Sequence, residues 1–268
     1  MLEHITPVIL TFNEAPNITR TLSHLGWARD IVVVDSGSDD GTLEQLARWS
    51  NVRVFSRRFD THAKQWLYAT SGIEISTPWI LRLDADYQLT DDLIEELRVL
   101  DPDAPVDGYS ISFDYAIFSQ KLHASLYPEK TILLRLGRFI IGDAGHTESW
   151  AVAGTVKRLR SRIVHDDWKS TPQFIDAQSQ YMSKELARLS AKSVRFQDRL
   201  RLIPPLMPIA VFVYCLFGKG LILNGRAGIF YALQRAIAEA ILSLMVLERE
   251  MSNRCRYDEP RKMPPSSV

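Results

Sequence analysis

The sequence predicts an α/β fold built on a doubly wound, mostly parallel sheet, because short apolar runs alternate with helix-like segments over its first hundred residues. These runs are rich in β-branched residues. A nearly continuous apolar run such as IVVV at 31–34 is typical of a strand that is buried on both faces of a parallel sheet. A hydrophobic content of 46% in 268 residues indicates a globular chain, which fits one large domain or one domain with an appendage.

The elements are predicted in order along the chain. Strands are expected at 7–12, 31–35, 52–55, 79–84 and 108–113, and a sixth strand-like segment at 138–141. Helices are expected between them at 16–25, 41–50, 62–74 and 90–100. Pro16 suits a first helical turn, and Thr90 is a good N-cap residue.

Composition excludes some classes of function. Thirty-two basic and 32 acidic residues give a net charge of zero, so no global field favours nucleic acid. Cys215 and Cys255 match no metal or redox spacing, and a reducing, cytoplasmic setting is expected. No signal peptide is predicted at the start of the chain, since a strand-like segment begins at Pro7.

The C-terminal region combines basic and apolar segments. Residues 182–226 contain eight basic and two acidic residues. Residues 202–217 are uncharged and include three prolines, but spanning a bilayer takes roughly 20 apolar residues. A helical pattern at 227–247 is interrupted by Gln234, Arg235 and Glu239. We predict interfacial or re-entrant helices on a membrane surface, with a buried helical subdomain or a dimer seam as the alternative.

Acidic residues follow three of the predicted strands. The first strand leads into Thr11-Phe12-Asn13-Glu14, the second ends at Asp35, and the fourth ends in Asp84-Ala85-Asp86. Ligands of such sheets bind at the carboxyl ends of the strands. Because converging carboxylates repel one another, a cation or a hydroxyl-rich ligand is expected among them. Asp84 and Asp86 are predicted to bind a hard divalent cation, which prefers oxygen ligands.

The loop at 36–41 contains Ser-Gly and Asp-Gly turn signals. Asp35, at the end of its strand, is expected to accept hydrogen bonds from a ribose or from a base N–H. Asp39 or Asp40 is expected to cap the following helix, and Asp39 is the preferred candidate. The loop lacks both the G-x-x-x-x-G-K-S/T and the G-x-G-x-x-G patterns, so neither a P-loop nor a dinucleotide fingerprint is predicted.

In combination, TFNE (11–14), VVVDSGSDDGT (32–42) and LRLDAD (81–86) resemble the family 2 glycosyltransferases, which have the GT-A fold. The resemblance is closest to short bacterial members that extend lipopolysaccharide core or related glycans. It covers about residues 5–250, including GHTE at 145–148, HDDWKS at 165–170, and a helix with Tyr and Lys at 181–192. Two departures stand out. Tyr87 replaces a usual Glu, and Thr147 separates His146 from Glu148, which leaves open which side chain faces the acceptor.

The resemblance implies a GT-A catalytic domain at 1–195, a membrane-associating helical region at 196–252 and a polar tail at 253–268. It implies inverting transfer of a sugar from a nucleotide-diphosphate donor, a UDP-sugar, to a glycan, lipopolysaccharide or lipid-linked acceptor, with Mg²⁺ or Mn²⁺. The enzyme would lie in the cytoplasm, peripheral on the inner face of the cell membrane, and a homo-oligomer is left open. A non-catalytic nucleotide-sugar-binding module, a sugar nucleotidyltransferase and a membrane scaffold are the competing hypotheses.

The resemblance also implies roles for single residues. The nucleotide would be bound by Thr11, Asn13, Glu14, Asp35, Lys64, Arg82 and Asp84. Lys64 has a solvated surface charge as its alternative. A metal ion would be held by Asp84, Asp86 and His165, although His165 is equally well explained as a satisfied interior histidine. Glu148 is the first choice for the general base and Asp167 the second.

Overall fold

The computed structural model describes residues 1–143, 148–190, 200–204 and 206–257, with the backbone alone at 143 and 254–257. The strands are β1 (Ile5–Thr11), β2 (Ile31–Asp35), β3 (Val52–Ser56), β4 (Trp79–Asp84), β5 (Tyr87–Leu89), β6 (Gly108–Ile117), β7 (Gln120–Lys121), β8 (Lys130–Arg135), β9 (Phe139–Asp143), β10 (Glu148–Val152) and β11 (Val156–His165). The α-helices are α1 (Ile18–Leu22), α2 (Thr42–Leu46), α3 (His62–Ser71), α4 (Asp91–Val99), α5 (Thr171–Leu189), α6 (Leu206–Val213) and α7 (Gly225–Tyr257).

A mixed central sheet has the strand order β3-β2-β1-β4-β8-β6-β11-β5. Strands β3, β2, β1 and β4 are parallel, as the βα rhythm predicted. The rest is mixed. Strand β8 runs antiparallel to both β4 and β6, whereas β6 and β11 are parallel. The predicted strand at 138–141 becomes β9, which pairs with β10 in a separate two-stranded sheet.

The hydrophobic core lies on both faces of the parallel half. Val33 of β2 packs with Leu22 and Leu93 on one face, whereas Val32 packs with Trp66 of α3 on the other. Successive strand residues point to opposite faces, and both faces are covered, so every residue of β2 is buried. Full burial of such a side chain contributes about 1.5–3 kcal/mol. Helix α4 begins at its predicted cap, where Thr90 Oγ1 accepts from Leu93 N at 3.2 Å.

The C-terminal helices pack against the carboxyl end of β6. Helix α6 continues into a π-helical turn (Tyr214–Gly218) and a 3₁₀ turn (Leu221–Asn224) before α7 begins. Buried Cys215 and Tyr231 pack with Ile117 at the end of β6. This cluster places the predicted membrane-associating region directly beside the β6–β7 hairpin.

Helices α5 and α7 are joined by a buried ion network. Glu185 is buried, accepts from Arg188 at 2.8 Å and is also paired with Arg201. Arg201 in turn bonds Glu239 of α7 at 2.7 Å. Two members of the predicted basic stretch are therefore engaged in protein contacts. Others of that stretch (Lys192, Arg195, Arg199) lie outside the described residues, as does the polar tail from Asp258.

Candidate active site

The carboxyl ends of β1, β2 and β4 meet at one edge of the sheet. Thr11 of β1 is in register with Asp35 of β2, and Leu10 is in register with Asp84 of β4. Asp86 follows two residues after Asp84. The acidic strand ends are therefore neighbours, as the sequence predicted.

Asp35 is buried and orders the loop that follows β2. Its Oδ1 accepts from the backbone N–H groups of Gly37 and Ser38, both at 2.9 Å. Its Oδ2 accepts from Thr11 Oγ1 at 2.9 Å and from Ser38 Oγ at 2.6 Å. Gly37 has φ of 94°, a left-handed conformation that favours glycine. In this structure Asp35 and Thr11 hold the loop after β2 by hydrogen bonds. Their contact with a nucleoside stays a prediction.

The expected helix cap at Asp39 is wrong, because Gly41 is the N-cap of α2 and no side chain caps it. Asp40, the alternative cap, holds the loop in front of the helix. Asp40 Oδ1 accepts from Thr42 N, and Oδ2 accepts from Ala15 N, both at 3.0 Å. Desolvation acts to raise the pKa of Asp40, but these hydrogen bonds outweigh it and lower that pKa. Asp39 instead donates its N–H to Asn13 Oδ1 at 3.0 Å. Asn13, with φ of 55°, also donates its N–H to Ser38 Oγ at 2.9 Å.

Asp84 is paired with a lysine that the sequence analysis missed. Lys130 Nζ lies 3.2 Å from Asp84 Oδ2 and donates to the hydroxyls of Tyr87 and Tyr127 at 2.7 Å. Desolvation acts to raise the pKa of Asp84, but the Lys130 ammonium outweighs it and holds that pKa well below its usual range. Tyr87, which replaces the usual Glu, thus helps to hold a cation beside Asp84. Lys130 begins β8, and no spacing pattern marks it in the sequence.

Asp86 is paired with His165, at the end of β11. Its Oδ2 lies 2.9 Å from His165 Nε2, and the imidazole ring packs against Tyr115 and Tyr127. Asp86 Oδ1 and His165 Nδ1 are buried without a hydrogen-bond partner among the described residues. Desolvation acts to raise the pKa of Asp86, but His165 outweighs it and lowers that pKa.

The described residues contain no group of three or more His, Cys, Asp or Glu side chains arranged to hold a metal ion. Because His165 Nε2 faces Asp86, the histidine orients that carboxylate in this structure. The unpartnered Asp86 Oδ1 nevertheless fits a single ligand position. A hard cation that takes its other ligands from phosphate oxygens and water needs only one or two carboxylates. The described residues therefore fit a metal ion that is coordinated partly by a bound ligand, and do not fit one that is coordinated by protein side chains alone.

Glu14 binds the segment that follows β11. It is buried, pairs with Lys169 and accepts from Asn17 Nδ2 at 3.0 Å. Asn17 Nδ2 also donates to Asp167 Oδ1 at 2.8 Å, and Asp167 Oδ1 accepts from Lys169 N at 3.0 Å. Desolvation acts to lower the pKa of Lys169, but Glu14, Asp167 and Asp86 outweigh it and raise that pKa. Lys169 is therefore a fixed positive charge, and it had no assigned role in the sequence analysis.

Arg82 and Glu148 form a second buried pair. Arg82 Nη1 donates to Glu148 Oε1 at 2.9 Å, and Trp150 Nε1 donates to the same oxygen at 3.1 Å. The guanidinium lies 4.5 Å from the centroid of the Trp150 ring. Arg82, which was assigned to the nucleotide, and Glu148, which was assigned as the general base, thus contact each other. The adjacent His146 and Thr147 lie outside the described residues.

Two further side chains complete the surroundings. Lys64 pairs with Asp60 at 3.4 Å and is largely exposed, which agrees with its alternative as a solvated charge. His62, which the sequence analysis missed, opens α3. Desolvation lowers its pKa, while Glu148 and Asp84 act in the opposite direction, so His62 shares their electrostatic environment.

Residues 6–135 match the model of glycosyl transferase family 2. Among solved structures, S. aureus TarS 1-349 in complex with UDP-GlcNAc is similar at 11% identity, with a TM-score of 0.51 over 92% of this chain and 92% of that one. The same protein in complex with UDP is similar at 12% identity, with a TM-score of 0.49 over 98% and 95%. The first likeness concerns the fold. With the family match, it identifies residues 6–135 as a family 2 glycosyltransferase domain and the chain as a glycosyltransferase of the GT-A fold.

Proposed function

We propose that this protein is an inverting glycosyltransferase that moves a sugar from a UDP-sugar to a glycan or lipid-linked acceptor, with a divalent cation at the diphosphate. One observation carries the proposal. Asp84, at the end of β4, pairs with Lys130, and Glu14, after β1, pairs with Lys169, at the edge of the sheet that also carries Asp35. A nucleoside diphosphate offers hydroxyl groups to carboxylates and phosphate oxygens to cations. The UDP-GlcNAc bound by TarS supports the same donor class.

The chemistry is a single displacement. The acceptor oxygen forms a bond to the anomeric carbon from the face opposite the diphosphate, and the bond from that carbon to the leaving oxygen breaks. The electron pair stays on the phosphate oxygen, and the hydroxyl proton passes to a carboxylate. Glu148 is the proposed base, held by Arg82 and Trp150 through one oxygen. Asp167, held by Asn17, is the second candidate.

A metal ion would be held by Asp86, whose Oδ1 is unpartnered among the described residues, together with Asp84. Bound there, it would neutralise the charge that develops on the leaving diphosphate. Lys130 would contribute a fixed charge to the same task, because its ammonium is already positioned by two phenol hydroxyls.

A donor screen tests the proposal. UDP-sugars and other nucleotide sugars are added to the protein with Mn²⁺, with Mg²⁺ or with EDTA, and the melting temperature and the released nucleotide are measured. We expect stabilisation and turnover by a UDP-sugar that require the cation. Asp86→Ala should abolish metal-dependent turnover and keep the fold, whereas Asp103→Ala, at an exposed turn, should change neither. NMR of the product should show the inverted anomeric configuration.

The assignment of the base has its own test. Glu148→Gln should lower kcat far more than it changes the donor KM, and Asp167→Asn should lower it less. The reverse order would transfer the role to Asp167. Failure of every nucleotide sugar to stabilise the protein or turn over, or near-normal activity of Asp86→Ala, would remove the proposed function.

We also propose that the C-terminal helices attach the protein to the inner face of the cytoplasmic membrane. One helical stretch, Leu221–Asn253, is long and apolar enough to cross a membrane, and 33% of its most apolar window is buried. Large apolar side chains are exposed along this region, including Leu206, Ile209, Val213, Phe217, Leu223, Leu244 and Met251. A membrane surface would cover such a face and would bring a lipid-linked acceptor to the site.

Vesicle sedimentation tests this attachment. Wild-type protein should sediment with vesicles that contain phosphatidylglycerol. The triple variant Ile209→Ser, Phe217→Ser, Leu223→Ser should stay in solution, and Val99→Ser on α4, which is 80% exposed, should sediment like the wild type. A soluble dimer that ignores vesicles would instead assign the face to a second copy and overturn the attachment.

A further inference from the structure

The turn between β6 and β7 presents an exposed aromatic side chain on a strained backbone. Phe118 has φ of 46° and Ser119 has φ of 66°, and neither is a glycine. Left-handed conformations are unfavourable for a residue with a bulky side chain and persist only where the surroundings enforce them. Phe118 is 50% exposed, so burial of its ring does not explain the strain.

The turn is the two-residue connection of the β6–β7 hairpin, which requires positive φ at both positions, and a buried carboxylate holds it in place. Asp166 Oδ2 accepts from Ser119 N at 3.0 Å and from Trp168 Nε1 at 2.9 Å, and it is paired with Arg20. The Arg20 guanidinium lies 4.1 Å from the centroid of the Trp168 ring. Asp166 therefore fixes the position of both aromatic residues at once. The Trp168 residue is still 39% exposed.

The two rings form one surface beside the proposed active site. The ring centroids of Phe118 and Trp168 are 6.1 Å apart with an interplanar angle of 57°, and Phe230 of α7 supports Phe118 from 5.9 Å. Trp168 stands between Asp167 and Lys169 in the chain. Its own N–H donates to Asn17 Oδ1 at 2.9 Å, so the ring is anchored to the same residues that bind Glu14.

We infer that Phe118 and Trp168 form an acceptor subsite that stacks on the apolar C–H face of a pyranose ring. Aromatic faces carry negative charge density, and the C–H groups of a sugar ring are weakly positive, so the two attract while the hydroxyls stay hydrated. The charged guanidinium of Arg20 lies against the Trp168 ring. An amphipathic ligand such as a sugar suits this surface better than an acyl chain. The inference rests on the proposed function, because it assigns the acceptor of the same site.

The strain gives a diagnostic variant. Phe118→Gly removes the ring and relieves the backbone, so it should raise the melting temperature while it weakens saccharide binding. Phe118→Tyr keeps the ring and should retain binding within about twofold. Trp168→Ala should also weaken binding, but it removes a contact of Asp166 as well. Val99→Ala, a large apolar residue on α4 that is 80% exposed, is the control and should behave like the wild type.

The experiment measures binding of purified full-length protein to a panel of hexose and N-acetylhexosamine oligosaccharides. Nucleotide-sugar affinity is measured in parallel. We expect at least a tenfold loss of saccharide affinity in Phe118→Gly, with donor affinity unchanged within about twofold. Unchanged saccharide binding, an equal loss of donor affinity, or no saccharide binding by the wild type would overturn the subsite. If the wild type binds saccharide but turns over no nucleotide sugar, and Phe118→Gly loses the saccharide binding, the proposed function is refuted and the saccharide subsite is supported.

Discussion

Replacement of Arg82 by methionine measures how much the buried ion pair of Arg82 and Glu148 contributes to stability. Arg82 is 7% exposed, and its guanidinium bonds Glu148 Oε1 at 2.9 Å. Methionine keeps most of the volume of the arginine stem but leaves Glu148 with the Trp150 indole as its remaining partner among the described residues. The carboxylate would then be held less firmly and would lack a neutralising charge.

The expected loss of stability follows from burial. At 2.9 Å and an effective dielectric constant near 20, the attraction within the pair is about 6 kcal/mol before desolvation is subtracted. Removal of one partner of a fully buried pair destabilises a protein by about 3–5 kcal/mol. The Glu148 side chain keeps 13% exposure and can recover some hydration, so we expect about 2–3 kcal/mol here.

Urea unfolding of three variants provides the assay. Arg82→Met should lower the free energy of unfolding by the stated amount, and Glu148→Gln should lower it by less than about 1.5 kcal/mol because the amide oxygen still accepts from Arg82 and Trp150. Arg53→Met is the control, since the pair of Arg53 with Asp30 is on the surface and contributes about 0–1 kcal/mol. If Arg82→Met lowers the free energy of unfolding by no more than Arg53→Met does, the buried pair contributes no more than a surface pair and the reasoning is refuted.

Three further predictions follow from contacts in the structure. Lys130→Met should lower kcat/KM for the donor by about tenfold, equal to about 1.4 kcal/mol, through loss of a fixed charge beside Asp84; steady-state rates that match the wild type would contradict this. Asp35→Ala should destabilise the protein by about 3 kcal/mol, because two amides and two hydroxyls lose their acceptor, and Asp35→Asn by about 1 kcal/mol; urea unfolding of both distinguishes loop ordering from simple charge loss. Desolvation acts to raise the pKa of Glu96, but the amides of Arg160 and Ser161 outweigh it and lower that pKa. The wild type should therefore have a higher free energy of unfolding than Glu96→Gln above pH 4.5, and this difference should shrink as the pH falls below that value. A difference in unfolding free energy that stays constant from pH 7 to pH 3 would exclude this origin.

The N-terminal half of the fold was predictable because its signals are local. Strands β2 and β4 have the bounds that their apolar runs predict, since burial on both faces demands an unbroken run. Strand β11 was missed for the opposite reason. Its sequence, VKRLRSRIVH, carries four basic residues before His165 and is exposed along much of its length, so neither apolar continuity nor clean alternation marks it. The antiparallel position of β8 depends on distant partners in β4 and β6 and leaves no local trace.

The candidate site was predictable on its acidic side only. Carboxylates after apolar strands are visible in the sequence, because the carboxyl ends of parallel strands share one edge. Their partners come from other parts of the chain. Lys130 is 46 residues from Asp84, and Lys169 is 155 residues from Glu14. Pairs with such large sequence separations come together through the topology of the sheet, and no local sequence pattern predicts them.

Two partners of the acidic residues lie outside the part of the chain that matches the family model. The family 2 match ends at residue 135, yet His165 and Lys169 lie beyond it and contact Asp86 and Glu14 within it. A chain cut after β8 would keep the acidic strand ends and lose two of the positive or hydrogen-bonding groups that balance them. Converging carboxylates without those partners repel one another and must take up protons or cations. Under the proposed function, the segment after β11 would belong to the catalytic unit, and the same segment carries Trp168 of the proposed acceptor subsite.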